Sequence, residues 1–210
     1  MNTHLLRFDE IETLALRALV ASRVSPPNAA HVARSIASAE RDGQTTVGLA
    51  YLPTYCDHAA CGKVDGFATP VLEALAPAAI RVDVGTGFAH PALALGMPAL
   101  ASAARANGVA VLSVGNSYAC GSLGYFVEEL AHSRLVALMT ANASPSMAPW
   151  GGATPFFGTN PLAFAVPRAG QSPLGRLQAR AQHRETIAVP SELVALLTRY
   201  GVQGSPMAAQ

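Results

Sequence analysis

Between residues 79 and 166 short β-like runs alternate with helical stretches, and that alternation restricts the chain to a layered α/β domain with at least part of its sheet parallel. The runs are 79–84, 109–114, 135–141 and 162–166, and the helices between them are 91–107, which carries Pro98, and 123–133. Ahead of residue 70 the period is helical throughout. Ile11, Leu14, Ala15, Ala18 and Leu19 recur at helix spacing, with Asp9 and Glu12 as a capping-box-like start. Ser25 followed by Pro26 and Pro27 opens a second helix, whose stripe is Ala29, Val32, Ala33, Ile36 and Ala37 and which Gly43 ends. A third helix runs from Leu49 to before Gly62. Beyond Pro167 the pattern predicts a surface loop to 173, a basic helix over 174–185 and an amphipathic helix over 190–201. The expected organisation is a helical domain of 1–72 with 174–201, an α/β domain of 73–173 and a frayed tail of 202–210.

Composition narrows the function classes. Half the residues are apolar but only 6% are aromatic, so the core is built from Ala, Val and Leu. A net charge of +1 without a basic run gives nothing to neutralise a phosphate backbone, which excludes nucleic acid as a partner. Asp83, Arg105 and Asn107 interrupt the apolar stretches before the roughly 20 residues that a membrane span needs. The charged residues 1–10 lack an apolar signal core, so the expected location is cytoplasmic. Cys56, Cys61 and Cys120 form no CxxC pair and read as small buried hydrophobes, with no metal site. Among the histidines, His4, His31, His58, His132 and His183 are expected on solvated faces, and His90 in a turn or helix cap.

Three loops are richer in Gly, Ser, Thr and Asn than simple connections require: 45–51, 115–124 and 148–161. Ligands of open α/β sheets bind beyond the carboxyl ends of strands, where amides and small side chains approach a phosphate or carboxylate. The 115–124 loop leads from a strand into a helix and does not have dinucleotide GxGxxG spacing.

Read together, Met147-Ala148-Pro149-Trp150-Gly151-Gly152, the run from Gly158 to Pro167 and the Asn116-Ser117…Cys120-Gly121-Ser122-Leu123-Gly124-Tyr125 loop resemble the malate/L-lactate dehydrogenase family of the second type, which includes sulfolactate dehydrogenases and cyclic-imine reductases. The resemblance implies a non-Rossmann layered domain and a helical domain built from the N- and C-terminal segments. It also implies a homodimer that uses NAD or NADP to act on a small 2-hydroxy or 2-oxo acid or a cyclic imino acid. Ser117, Gly121, Gly158, Thr159, Asn160 and Pro161 are the implied cofactor residues.

Such proteins carry a Ser-His-Gly-x-x-Arg-x-Pro-like element whose His donates a proton to the substrate. The similar stretch here runs from Thr46 to Pro53, with Val47 in place of the His and Tyr51 in place of the Arg. Thr46, Tyr51 and His90 are the candidates to replace that acid. Next to the family pattern, 167–174 also lacks an Asp-containing strand and the sheet that follows it. The alternative reading is a degenerate or internally deleted member that keeps the fold and dimer surface without the catalysis.

Overall fold

The computed structural model describes residues 3–168 and 186–198. These fall into two compact units, one of 3–121 with 186–198 and one of 122–168.

In the first unit, β1 (Thr3–Arg7) leads directly into α1 (Phe8–Ala21), which is followed by α2 (Pro26–Arg41). The apolar stripes of the two helices are their buried faces. Ile11, Ala15, Ala18 and Leu19 of α1 and Ala29, Val32, Ala33, Ile36 and Ala37 of α2 are at most 1% exposed. Alanine on both stripes keeps the helix axes close, and α1 packs against α2 more extensively than any other pair of elements. The capping box is displaced by two residues from its expected place. Arg7 is the N-cap, and its backbone N–H donates to the Glu10 carboxylate at 2.7 Å, because β1 hands the chain to the helix before Asp9.

Two 3-10 turns, Thr45–Val47 and Leu49–Tyr51, precede α3 (Leu52–Ala60), so the third helix starts three residues later than its pattern suggests. Leu49, Leu52, Tyr55, Cys56 and Val64 join the α1–α2 cluster, as do Ile187 and Val189 of β7 (Thr186–Pro190). β7 pairs antiparallel with β1 from Thr3↔Pro190 to Arg7↔Thr186. The last helix, α6 (Ser191–Thr198), follows.

The sheet of this unit has the order β2-β3-β4. β2 (Val71–Ala76) and β3 (Ala79–Asp83) form an antiparallel hairpin, while β4 (Val111–Gly115) lies parallel to β3 in the register Ala79↔Val111 to Asp83↔Gly115. The crossover between them is α4 (Ala89–Asn107), which contains Pro98 and covers the face that carries Ile80 and Val82. α4 also packs on α2. Phe88, at its N-cap, belongs to the helical cluster, which is why the compact unit continues to Gly121 instead of dividing near the expected residue 72.

In the second unit α5 (Leu123–His132) covers one face of the antiparallel pair β5 (Ala137–Thr140) and β6 (Leu162–Ala165), where Ala137, Ala163 and Ala165 are buried. The opposite face presents Leu138 and its partner Phe164 to solvent. β1, β2 and β7 are strands that sequence pattern does not reveal. The helix expected over 174–185, the end of the 190–201 helix and the tail lie outside the described residues.

The close approach of α1 and α2 sets a size limit at Ala33. Ala33→Leu is expected to lower stability by about 1–3 kcal/mol through overpacking. Ala30→Leu, on the exposed side of the same helix, should stay within roughly 0.5 kcal/mol of wild type. Urea unfolding of both variants measures the difference.

Candidate functional site

The Val47 loop is held from below by a buried carboxylate. Glu40, in the last turn of α2, is 4% exposed and accepts the Leu49 backbone N–H at 2.7 Å on Oε1. The hydrogen bond satisfies a buried carboxyl oxygen and so offsets part of the cost of taking it out of water. Gly48 lets it form, since a Cβ there would lie 2.3 Å from Glu40 Oε1. Above this anchor Thr46 is exposed, while Val47 and Tyr51 are half-buried. Valine has no proton to give, so the loop keeps its geometry and lacks the expected acid.

Tyr51 leads into a group of aromatic side chains at the carboxyl ends of the parallel strands β3 and β4. The exits of the two strands are fastened together: Thr86 N–H donates to Asn116 O at 2.7 Å, Asn116 Nδ2 donates to Asp83 Oδ2 at 2.7 Å, and Tyr118 N–H donates to Gly87 O at 2.8 Å. This places Phe88 beside Tyr118, with ring centroids 5.7 Å apart. Tyr55 stands at the centre, edge-on to Tyr51 at 4.8 Å between ring centroids, to Phe88 at 5.6 Å, to Tyr118 at 6.0 Å and to His90 at 6.4 Å. Edge-to-face pairs add about 0.5–1.5 kcal/mol each beyond the area they bury. His58 Nδ1 is hydrogen-bonded to the Tyr118 hydroxyl. Burial raises the phenols of Tyr55 and Tyr118 and keeps both protonated.

Three residues singled out in the sequence therefore meet here. Tyr51 and His90 both touch Tyr55, and a Cβ on Gly121 would lie 3.4 Å from Tyr55 Oη and 3.7 Å from His90 Nε2. His90 is the second residue of α4 and only 2% exposed, and burial lowers its pKa to about 3. It is a neutral imidazole inside the cluster. Ser117, one residue before Tyr118, is exposed. His58 was expected to be solvated and is instead half-buried against Tyr118, because α3 turns that face inward. The missed signal is the spacing Tyr51, Tyr55, His58, which is i, i+4, i+7. Cys56 is buried as expected, with its thiol pushed up to about 11 mainly by desolvation, whereas Cys61 is exposed and Cys120 intermediate.

Gly158, Thr159, Asn160 and Pro161 belong to the second unit and shape the long loop ahead of β6. Asn160 Oδ1 accepts the Ala143 N–H at 3.0 Å, and Pro161 O accepts that of Ala141 at 3.2 Å. A Cβ on Gly158 would fall 2.1 Å from Ala143 O, so the glycine is required by the loop itself. Thr159 is exposed, and Trp150 is fully so. Neither this loop nor 115–124 contains a Lys or Arg. What each offers a phosphate is neutral: the exposed Ser117 hydroxyl in the first unit, the exposed Thr159 hydroxyl and Asn160 amide in the second, and backbone N–H groups in both. Such donors fit a phosphate that is held by hydrogen bonds. Among the described residues no group of three or more His, Cys, Asp or Glu could hold a metal, and no helix is long and apolar enough to cross a membrane.

Residues 6–175 match the model of a family described as malate/L-lactate dehydrogenase. The chain is 43% identical over 172 residues to the (2R)-3-sulfolactate dehydrogenase (NADP(+)) of Chromohalobacter salexigens, a match that covers 82% of this chain and 51% of the relative. It is 40% identical to a Delta(1)-pyrroline-2-carboxylate/Delta(1)-piperideine-2-carboxylate reductase of Pseudomonas syringae pv. tomato, with coverages of 82% and 50%. The crystal structure of delta1-piperideine-2-carboxylate reductase from P. syringae superposes with a TM-score of 0.72 at 31% identity, over 95% of this chain and 71% of that one. The chain spans about half the length of the curated relatives it matches.

Burial of neutral His90 couples stability to acidity. Between its folded value near 3 and the ordinary histidine value of about 6.5, the unfolded chain holds a proton that the folded chain does not. Stability therefore falls as pH drops below about 6.5, by up to roughly 1.4 kcal/mol per unit from this residue. Urea midpoints at pH 7 and pH 5 should separate more in the wild type than in His90→Gln. Equal separations would mean that His90 contributes nothing to the acid sensitivity.

Proposed function

Because the chain belongs to the malate/L-lactate dehydrogenase family, we propose that it forms the cofactor- and substrate-facing part of an NAD(P)-dependent oxidoreductase acting on a small 2-hydroxy or 2-oxo acid or a cyclic imino acid. The observation that carries this reading is the 43% identity to an NADP(+) enzyme, which extends across both the Val47 loop and the two Gly-rich loops. In support, three of the residues picked out from sequence gather where β3 and β4 end, the side of a parallel sheet on which ligands bind.

In this reading a bound nicotinamide supplies the hydride. Ser117 in the first unit, and separately Thr159 and Asn160 in the second, each offer neutral donors to a phosphate, and Gly121 and Gly158 keep the loops that carry them. Tyr55 and His90 form an apolar, proton-retaining wall that limits water. The homodimer and the cytoplasmic location expected from the sequence belong to the same reading. A second reading, a non-catalytic member, is favoured by one specific observation: Val47 and Tyr51 occupy the positions of the acid and the Arg on a loop whose Glu40 anchor is kept.

The two part on cofactor and turnover. Calorimetric titration of the intact chain with NADPH and NADH should show saturable binding of at least one, and Thr159→Ala should weaken it several-fold. Absence of heat at millimolar concentrations of both would reject the oxidoreductase reading. Binding without oxidation of the cofactor by a 2-oxo acid or piperideine-2-carboxylate would favour the second.

A further inference from the structure

Tyr51, Tyr55 and His58 share one face of the segment that starts in the second 3-10 turn and continues as α3. Tyr118 rests on that face, its ring edge-on to Tyr55 and to His58, with centroids 6.0 and 5.6 Å apart. Its hydroxyl is hydrogen-bonded to His58 Nδ1, and Tyr51 packs edge-on against the same Tyr55 ring, with centroids 4.8 Å apart. Beyond the imidazole, Lys63 Nζ lies 3.4 Å from His58 Nε2, and Lys63 is exposed. A line of exchangeable protons thus leads from solvent through His58 to Tyr118, and Tyr51, four positions after Val47, shares the neighbour Tyr55 with Tyr118.

The geometry points to a proton relay in which the Tyr51 hydroxyl is the acid that protonates the reduced substrate and Tyr118 and His58 return the proton. The proposal rests on the oxidoreductase reading. When hydride reaches the carbonyl or imine carbon from a reduced nicotinamide, that carbon is reduced, the nicotinamide is oxidised and the π pair moves to the substrate oxygen or nitrogen. That atom then bonds the Tyr51 proton as the Tyr51 O–H bond breaks. Tyr118 passes its proton to the Tyr51 phenolate, His58 passes the one on Nδ1 to Tyr118, and His58 Nε2 takes one from solvent. The net change is one hydride and one proton added to the substrate, with one proton drawn from water.

The chemistry suits a tyrosine. A phenol, with a pKa near 10, is a far stronger acid than the alcohol whose alkoxide it quenches, and its weakness at neutral pH matters only if it is slow to regain its proton. Burial first, and then the neighbouring Tyr51, raise Tyr118 and keep its proton on the hydroxyl until an acceptor forms beside it. Valine at 47 costs nothing in this arrangement.

The test uses the intact chain and its Tyr51→Phe, Tyr118→Phe, His58→Gln and Val47→His variants, with NADPH binding, kcat for piperideine-2-carboxylate and a 2-oxo acid, and the pH profile as readouts. Tyr51→Phe should lower kcat by about 10²-fold or more at unchanged NADPH affinity, and adding Val47→His to it should recover most of the loss. Tyr118→Phe and His58→Gln should lower kcat about 10-fold and shift the pH profile of kcat, a readout that a purely structural role would leave in place. Wild-type turnover by Tyr51→Phe overturns the relay, as does a gain of 10²-fold or more from Val47→His alone, since the site would then have lacked an acid. NADPH binding without any turnover by the wild type overturns the relay and leaves the cofactor reading standing. Failure to bind either cofactor overturns that reading, and the relay with it.

Discussion

The first unit depends on α2 being buried along most of its length. From Val32 to Glu40 only Arg34 is exposed, so the helix meets α1 on one side, α4 on another and the 3-10 turns at its end. A helix enclosed to this degree fixes the position of everything that touches it. Its last turn then does something that apolar packing does not do, placing a carboxylate under the Leu49 amide. The Val47 loop is therefore set by the same element that sets the core. Alanine on the inner stripe brings the neighbours close, and serine and glutamate further along supply polar anchors.

How far the sequence revealed this fold follows from where each element obtains its stability. Helices α1, α2, α4 and α5 advertise themselves because an apolar stripe at helical spacing is complete within one segment. β3 and β4 are readable for a related reason, being short apolar runs on either side of a helix. β2 is not: Glu73 splits its apolar residues without alternation, and all but Leu72 of the six are exposed, so no buried face at strand period marks it. β1 and β7 pair across nearly the whole chain, and each is a strand only because the other is there. The start of α1 moved for the same reason, since β1 ends at Arg7 and takes the N-cap with it.

The candidate site divides in the same way. The Gly-rich loops stood out by composition, and the structure places one of them in the aromatic cluster through Gly121. Tyr51 and His90 were visible as isolated residues, but what they belong to was hidden. Tyr118 is 60 residues from His58, and the parallel β3–β4 pairing that brings it there is a long-range event. Spacing along the second 3-10 turn and α3 carried half of the signal, the Tyr51, Tyr55 and His58 stripe. The other half exists only in three dimensions.

Trp150 is the only tryptophan of the chain, and it stands fully in water in a loop without a Lys or Arg. Whatever fluorescence the indole emits therefore comes from one place, undiluted by any buried ring. Anything that settles over this loop, whether a small molecule, a second chain or a larger surface, will change the surroundings of that one fluorophore. The molecule has a built-in beacon on a segment of its second unit, and excitation at the red edge of indole absorption leaves the tyrosines of the first unit dark.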